Sequence, residues 1–186
     1  MFPLFALTGA RFLQWVFPAL PLLPTALVLL LFFYGTNLFG VKLAMWVQAA
    51  MVGVLFVALF VFVGAGLPRV DPASFRPLFT GGVGGFAVAA ALLTFTVLGA
   101  NAAVELGDEI VDPSRTIPKS FLVSIPVVTV IYVAIAVVVA GAGPWTGNAD
   151  EALTGIAASF LSRPLFLFFL FGGGFLAVVT TLNATY

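Results

Sequence analysis

Charged positions divide this chain into apolar runs of similar length. Leu20 to Val41 carries no charge, and Lys42 closes it. Leu43 to Leu67 carries none before Arg69 and Asp71, and Pro77 to Val104 none before Glu105. Ser120 to Ala149 runs uncharged up to Asp150 and Glu151, and Pro164 to Tyr186 holds no charge at all. About 20 apolar residues cross the ~30 Å hydrocarbon layer as a helix. Backbone groups in lipid must pair within their own segment, so each run is read as a helix. The runs are continuous rather than alternating, which argues against a barrel. The pattern predicts spans at 20–41 and 43–67 and within 77–104, 120–149 and 164–186. Residues 1–17 form a shorter aromatic run with Arg11 and Trp15, a partial span or an interfacial helix. A tight turn at Lys42 makes its two flanking spans antiparallel neighbours. Residues 147–162 read as an external loop with a short surface helix.

Composition agrees with that pattern. The 186 residues are 62% hydrophobic and only 8% charged, against about 25% charged in soluble domains. Seven basic and seven acidic residues balance to zero, so no basic field for nucleic acid is present. Cysteine and histidine are absent. Their absence removes disulfides, thiolate nucleophiles, Ser–His triads and histidine zinc sites. No enzyme, metal site or cofactor is expected. The last run reaches Asn183-Ala184-Thr185-Tyr186 without a charged anchor, so it is read as a truncated helix.

The third run is the unusual one. It opens on Gly81, Gly82, Gly84 and Gly85 and reaches Gly99-Ala100-Asn101 before Glu105, Asp108 and Glu109. Asp112-Pro113 then ends a helix, because proline pushes the preceding residue out of the α region. A glycine followed by a polar residue in mid-run permits a helix break at 99–101. The freed backbone dipoles of such a break can bind a carboxylate or amine. Gly99 can equally be a packing glycine. Glu105 and Glu109 share one helical face, with Arg115 and Lys119 just beyond. Glu105, Asp108, Glu109, Arg115 and Lys119 read as a structural or gating charge cluster, with Glu105 also open to a binding role.

The stretch from Phe95 to Pro118, FTVLGANAAVELGDEIVDPSRTIP, resembles the sixth-helix signature of the amino acid–polyamine–organocation permeases. Leu38 to Gln48 is similar to the family's join between helices four and five, and Leu176 to Asn183 to the start of its helix eight. The resemblance implies a segment from the end of helix three to the middle of helix eight, with helices at 20–41, 43–67, 84–111 (broken at 99–101), 119–143 and 163–186. It implies an all-α, leucine-transporter-type inverted-repeat bundle, and secondary transport of amino acids or polyamines across a cell membrane. Substrate would lie against Leu98, Gly99, Ala100 and Asn101, with Val97 and Phe95 as neighbouring gate residues. Many members carry a bulky aromatic where Ala100 stands. Proton-coupled members can carry a lysine midway along helix five, where Val54 and Leu55 fall here. Thr180 and Thr181 could instead supply hydroxyls to a sodium site, or bond back to their own helix. The coupling ion is thus H+ or Na+. The resemblance places Lys42, Arg115 and Lys119 inside, and Arg11, Arg69, Arg76 and Arg163 outside. Its partners would be the bilayer and the remaining helices of the same permease, and the segment alone is expected to be inactive. The alternative is a non-transporting subunit that complements a partner carrying the missing helices.

Overall fold

The computed structural model describes residues 2–76, 81–94, 107, 110–142 and 149–184. Among these, every regular element is helical: α1 (Phe2–Val16), α2 (Leu22–Leu38), α3 (Val41–Gly66), α4 (Gly82–Thr94), α5 (Pro113–Gly141), α6 (Ala149–Phe160) and α7 (Arg163–Ala184). Three of them, Lys42–Arg69, Pro113–Gly141 and Arg163–Ala184, are long and apolar enough to cross a membrane; α2 and α4 are shorter apolar helices. The chain forms two compact units, residues 1–69 with 142–186 and residues 70–141.

In the first unit, α1 ends at Val16 as the chain enters Pro18 and Pro21. The Gln14 side-chain amide closes this turn by donating to the Leu20 carbonyl at 2.8 Å. Small residues then permit close helix approach. Ala6 and Ala10 are completely buried, and a Cβ on Gly9 would lie 3.1 Å from Val179 and 3.4 Å from Leu29. Because lipid tails are as apolar as leucine, such close backbone packing is a main source of helix association in a membrane. Ala6, Ala10, Ala26, Phe33, Phe175, Leu176, Val179 and Leu182 form the core where α1, α2 and α7 meet.

The turn between α2 and α3 falls earlier than the pattern suggests. It consists of Phe39 and Gly40, and Lys42 lies in the first turn of α3 rather than between helices. Gly40 has φ of +108°, a conformation that a side chain disfavours. Further along α3, Phe62 stacks on Phe169 at 4.8 Å and meets Phe160 at 5.4 Å. These rings tie α3 to α6 and α7. The inward face of α6 carries Ile156 and Ala157, both buried.

The second unit holds α4, α5 and a short 3-10 turn, Pro72–Phe75. Asp71 caps that turn, its carboxylate accepting from the Ala73 N–H at 2.9 Å. The span expected at 119–143 begins earlier, at Pro113. Proline suits the first helical position because that N–H has no helical partner. Asp112 precedes it at φ of +53°, with its carboxylate accepting from the Ser114 hydroxyl at 3.1 Å and its carbonyl from the Thr116 N–H at 2.9 Å. Pro118 and Pro126 lie inside α5, and Pro126 removes the donor that would have met the Leu122 carbonyl. The far end docks on the 3-10 segment: the Asp71 N–H donates to the Gly141 carbonyl at 2.9 Å. A Cβ on Gly141 would come within 2.5 Å of Val70 and 3.2 Å of Phe75.

Gly141→Ala is therefore expected to destabilise the protein by about 1–3 kcal/mol through overpacking. Gly155→Ala, with open space around it, is expected to be neutral or stabilising by a few tenths to about 1 kcal/mol. Unfolding in mixed micelles, followed by circular dichroism, compares the two.

Candidate functional site

The polar chemistry of the larger unit converges on α7. This helix starts regularly at Arg163, with Ser162 before it and Pro164 in its first turn. From Leu170 to Phe175 it widens into a π-turn of sequence LFGGGF, then resumes as an α-helix from Leu176 to Ala184. The three glycines in the wide turn meet four neighbouring residues. A Cβ on Gly172 would lie 2.6 Å from Ala58 and 3.4 Å from the Val54 carbonyl; one on Gly174 would lie 2.6 Å from Phe12. One on Gly173 would lie 2.9 Å from the Phe169 ring. Single wide turns of this kind recur at functional sites. Val54 of α3 faces this turn through its carbonyl and a methyl group.

Beyond the π-turn, Thr180 is 7% exposed. Its hydroxyl donates to the Ala177 carbonyl at 3.0 Å, and the Thr181 hydroxyl reaches the same carbonyl at 3.3 Å. Of the two readings open for this pair, back-bonding is the one the geometry displays. A hydroxyl that donates in this way still has an oxygen able to accept, as Thr180 illustrates.

One turn further stands Asn183, 4% exposed. Its amide nitrogen donates to Gln48 Oε1 at 2.9 Å and to the Ala44 carbonyl at 3.3 Å, both on α3. Its Oδ1 accepts from Asn37 Nδ2 of α2 at 3.3 Å. Asn37 spends its second N–H on the Phe33 carbonyl at 2.9 Å. Every donor and the carbonyl of Asn183 are thus engaged, and three helices meet at one side chain. Sequence reasoning passed over these residues. The signal was present: Asn37, Gln48 and Asn183 are each the one Asn or Gln in their helix, and polar side chains in a span mark helix contacts or function.

The other expected site residues fall differently. Leu98, Gly99, Ala100, Asn101, Glu105, Asp108 and Glu109, with Phe95 and Val97, lie outside the described residues. Arg115 and Lys119 are both exposed in the first two turns of α5. Among the described residues no cluster of metal-ligating side chains occurs. A separate open groove of about 440 Å³ is lined by Arg11, Gln14, Trp15 and Pro18, a basic and aromatic set of the kind that settles at a lipid–water boundary.

Comparison with known proteins adds to this geometry. The amino acid permease family model matches residues 1–185. A branched-chain amino acid permease of Bacillus subtilis is 28% identical over 106 residues, which is 57% of this chain and 23% of the relative. An uncharacterized transporter of Mycobacterium tuberculosis is 33% identical over 113 residues, 59% of this chain and 26% of the relative. A methylthioribose transporter of B. subtilis is 29% identical over 92 residues, 50% of this chain and 20% of the relative. The chain thus spans about a quarter of the length of these curated relatives.

The contacts of Asn183 rank it above Asn37. Interhelical hydrogen bonds in membranes contribute about 0.6 kcal/mol on average and up to about 1.7. Asn183→Ala is expected to lose stability by about 1–3 kcal/mol, since it removes several such bonds and leaves Gln48 unanswered. Asn37→Ala removes one interhelical bond and is expected to cost under half as much. Unfolding of the protein by sodium dodecyl sulfate in mixed micelles measures both.

Proposed function

Because this chain belongs to the amino acid permease family, and is a multi-pass, all-α membrane protein, we propose that it forms part of a secondary transporter of amino acids or related amines. The observation that carries the reading is the family match across nearly the whole chain, over helices apolar enough to span a bilayer. Substrate would bind at the helix break read at Gly99–Asn101, on backbone groups with Leu98 and Ala100 beside them. The absence of a bulky side chain at Ala100 leaves room above the substrate, or leaves its cover to another helix.

Glu105, Asp108 and Glu109 would form a gate with Arg115 and Lys119. The two basic side chains are exposed at the start of α5, which is compatible with that role. The relatives carry different cargo in their names, a branched-chain amino acid in one and methylthioribose in another. We therefore assign the substrate class as small polar solutes with amino acids foremost. Coupling runs to H+ or Na+. The buried Thr180 hydroxyl is the group in α7 that a sodium ion would recruit, through an oxygen lone pair while its O–H still donates to the Ala177 carbonyl.

Two outcomes test these assignments. Proteoliposomes containing only these 186 residues are expected to accumulate no labelled amino acid, whereas the full-length permease carrying the same segment accumulates it; uptake by the short chain would overturn the expectation. In the full-length protein, Thr180→Val is expected to weaken the sodium dependence of uptake by about tenfold or more if sodium is the coupling ion. Uptake that is indifferent to replacing sodium with choline assigns coupling to protons.

A further inference from the structure

The π-turn and the amide node lie on the same helix, and the first determines where the second points. An α-helix advances about 100° per residue, from 3.6 residues per turn. A π-turn accommodates one residue more than the regular helix would. Everything beyond Phe175 is therefore rotated by about 100° relative to an unbroken helix. That rotation turns Asn183 toward Ala44, Gln48 and Asn37. The π-turn itself is pinned by glycines that admit Ala58 of α3 and Phe12 of α1 at close range.

Apolar packing alone does not fix such a rotation. Leu176, Val179 and Leu182 are buried around the node, but one leucine face fits an apolar neighbour about as well as the next. Between helices in lipid there is little hydrophobic penalty for slipping. A directional amide is different, because only one rotation satisfies both N–H groups and the carbonyl at once. Single buried asparagines fix register in coiled coils by the same logic, at a cost in stability.

We propose that Asn183 is a positioning residue for transport: the Leu170–Phe175 π-turn sets the rotation of the helix that follows, and the Asn37–Asn183–Gln48 node holds that rotation against α2 and α3. The helix face carrying Thr180 and Asn183 then has one seating. The node touches no substrate group; it acts through the placement of α7. The activity part of this claim rests on the transport reading above, and the register part stands without it.

The test uses the full-length permease carrying this segment, reconstituted in proteoliposomes for uptake and in detergent for thermal unfolding. Gln48→Leu with Asn183→Leu replaces the amide pair by apolar side chains. This variant is expected to keep or raise its unfolding midpoint, and to lose about tenfold in turnover with KM unchanged. The reciprocal exchange Gln48→Asn with Asn183→Gln restores the pair and is expected to recover turnover to within about threefold of the parent. Deletion of Gly173 converts the wide turn to a regular one and rotates Asn183 off the node. It lowers turnover, and adding Asn183→Ala to it lowers turnover no further.

Wild-type turnover in the apolar pair, or turnover and stability falling together without rescue by the exchange, overturns the proposal. If the parent protein moves no amino acid, the transport reading fails, and the register claim is decided by unfolding alone. Coupling between Gln48 and Asn183 in a double-mutant cycle should then be present in the parent and abolished by the Gly173 deletion. Equal coupling in both backgrounds overturns it.

Discussion

Close approach of α7 to its neighbours is the constraint on which the larger unit depends. Helices in lipid gain little from burying leucines against one another, so they associate through backbone proximity and directional bonds. Both occur here on one helix. Gly172 and Gly174 admit Ala58 and Phe12 at distances that a Cβ would close off. Gly9 on α1 admits Val179 of α7 and Leu29 of α2 in the same way. Larger side chains at these positions would hold the helices apart and lengthen the bonds that Asn183 makes.

The amide node completes what the glycines begin. Its bonds reach the last turn of α2 and the first two turns of α3, the two sides of the Phe39–Gly40 turn. The end of α7 is thereby joined to both legs of one helical hairpin. The hairpin in turn depends on the positive φ of Gly40, which lets α2 and α3 reverse direction within two residues. Backbone geometry, close packing and hydrogen bonding thus act on the same few residues.

For function, the division of labour within the chain matters. The signature that resembles a permease binding helix runs from Phe95 to Pro118, in the part of the chain that includes α4 and α5. The amide node, the π-turn and the two threonines belong to the other unit. Transport requires a binding element that changes its exposure and a frame that keeps its own geometry. On the proposed transport reading, the satisfied amides and interlocked glycines of the larger unit would serve as such a frame.

Membrane residence and the helical class were legible in the sequence, because lipid imposes a length and an apolarity on any crossing helix. The permease resemblance was legible too, since the Gly99-to-Pro118 spacing is carried by residue identity. Boundaries were less so: Lys42 reads as a turn residue yet sits inside α3, and α5 begins at Pro113 rather than at 119. A charged residue near a helix end, or a proline in the first turn, is compatible with either side of a boundary until the caps are seen. The π-turn at Leu170–Phe175 and the meeting of Asn37, Gln48 and Asn183 were decided only by tertiary structure. Three glycines in a row do not announce a wide turn. Three isolated amides become one node only when helices distant in sequence approach, because a hydrogen bond depends on distance and direction, and sequence spacing encodes neither across separate helices.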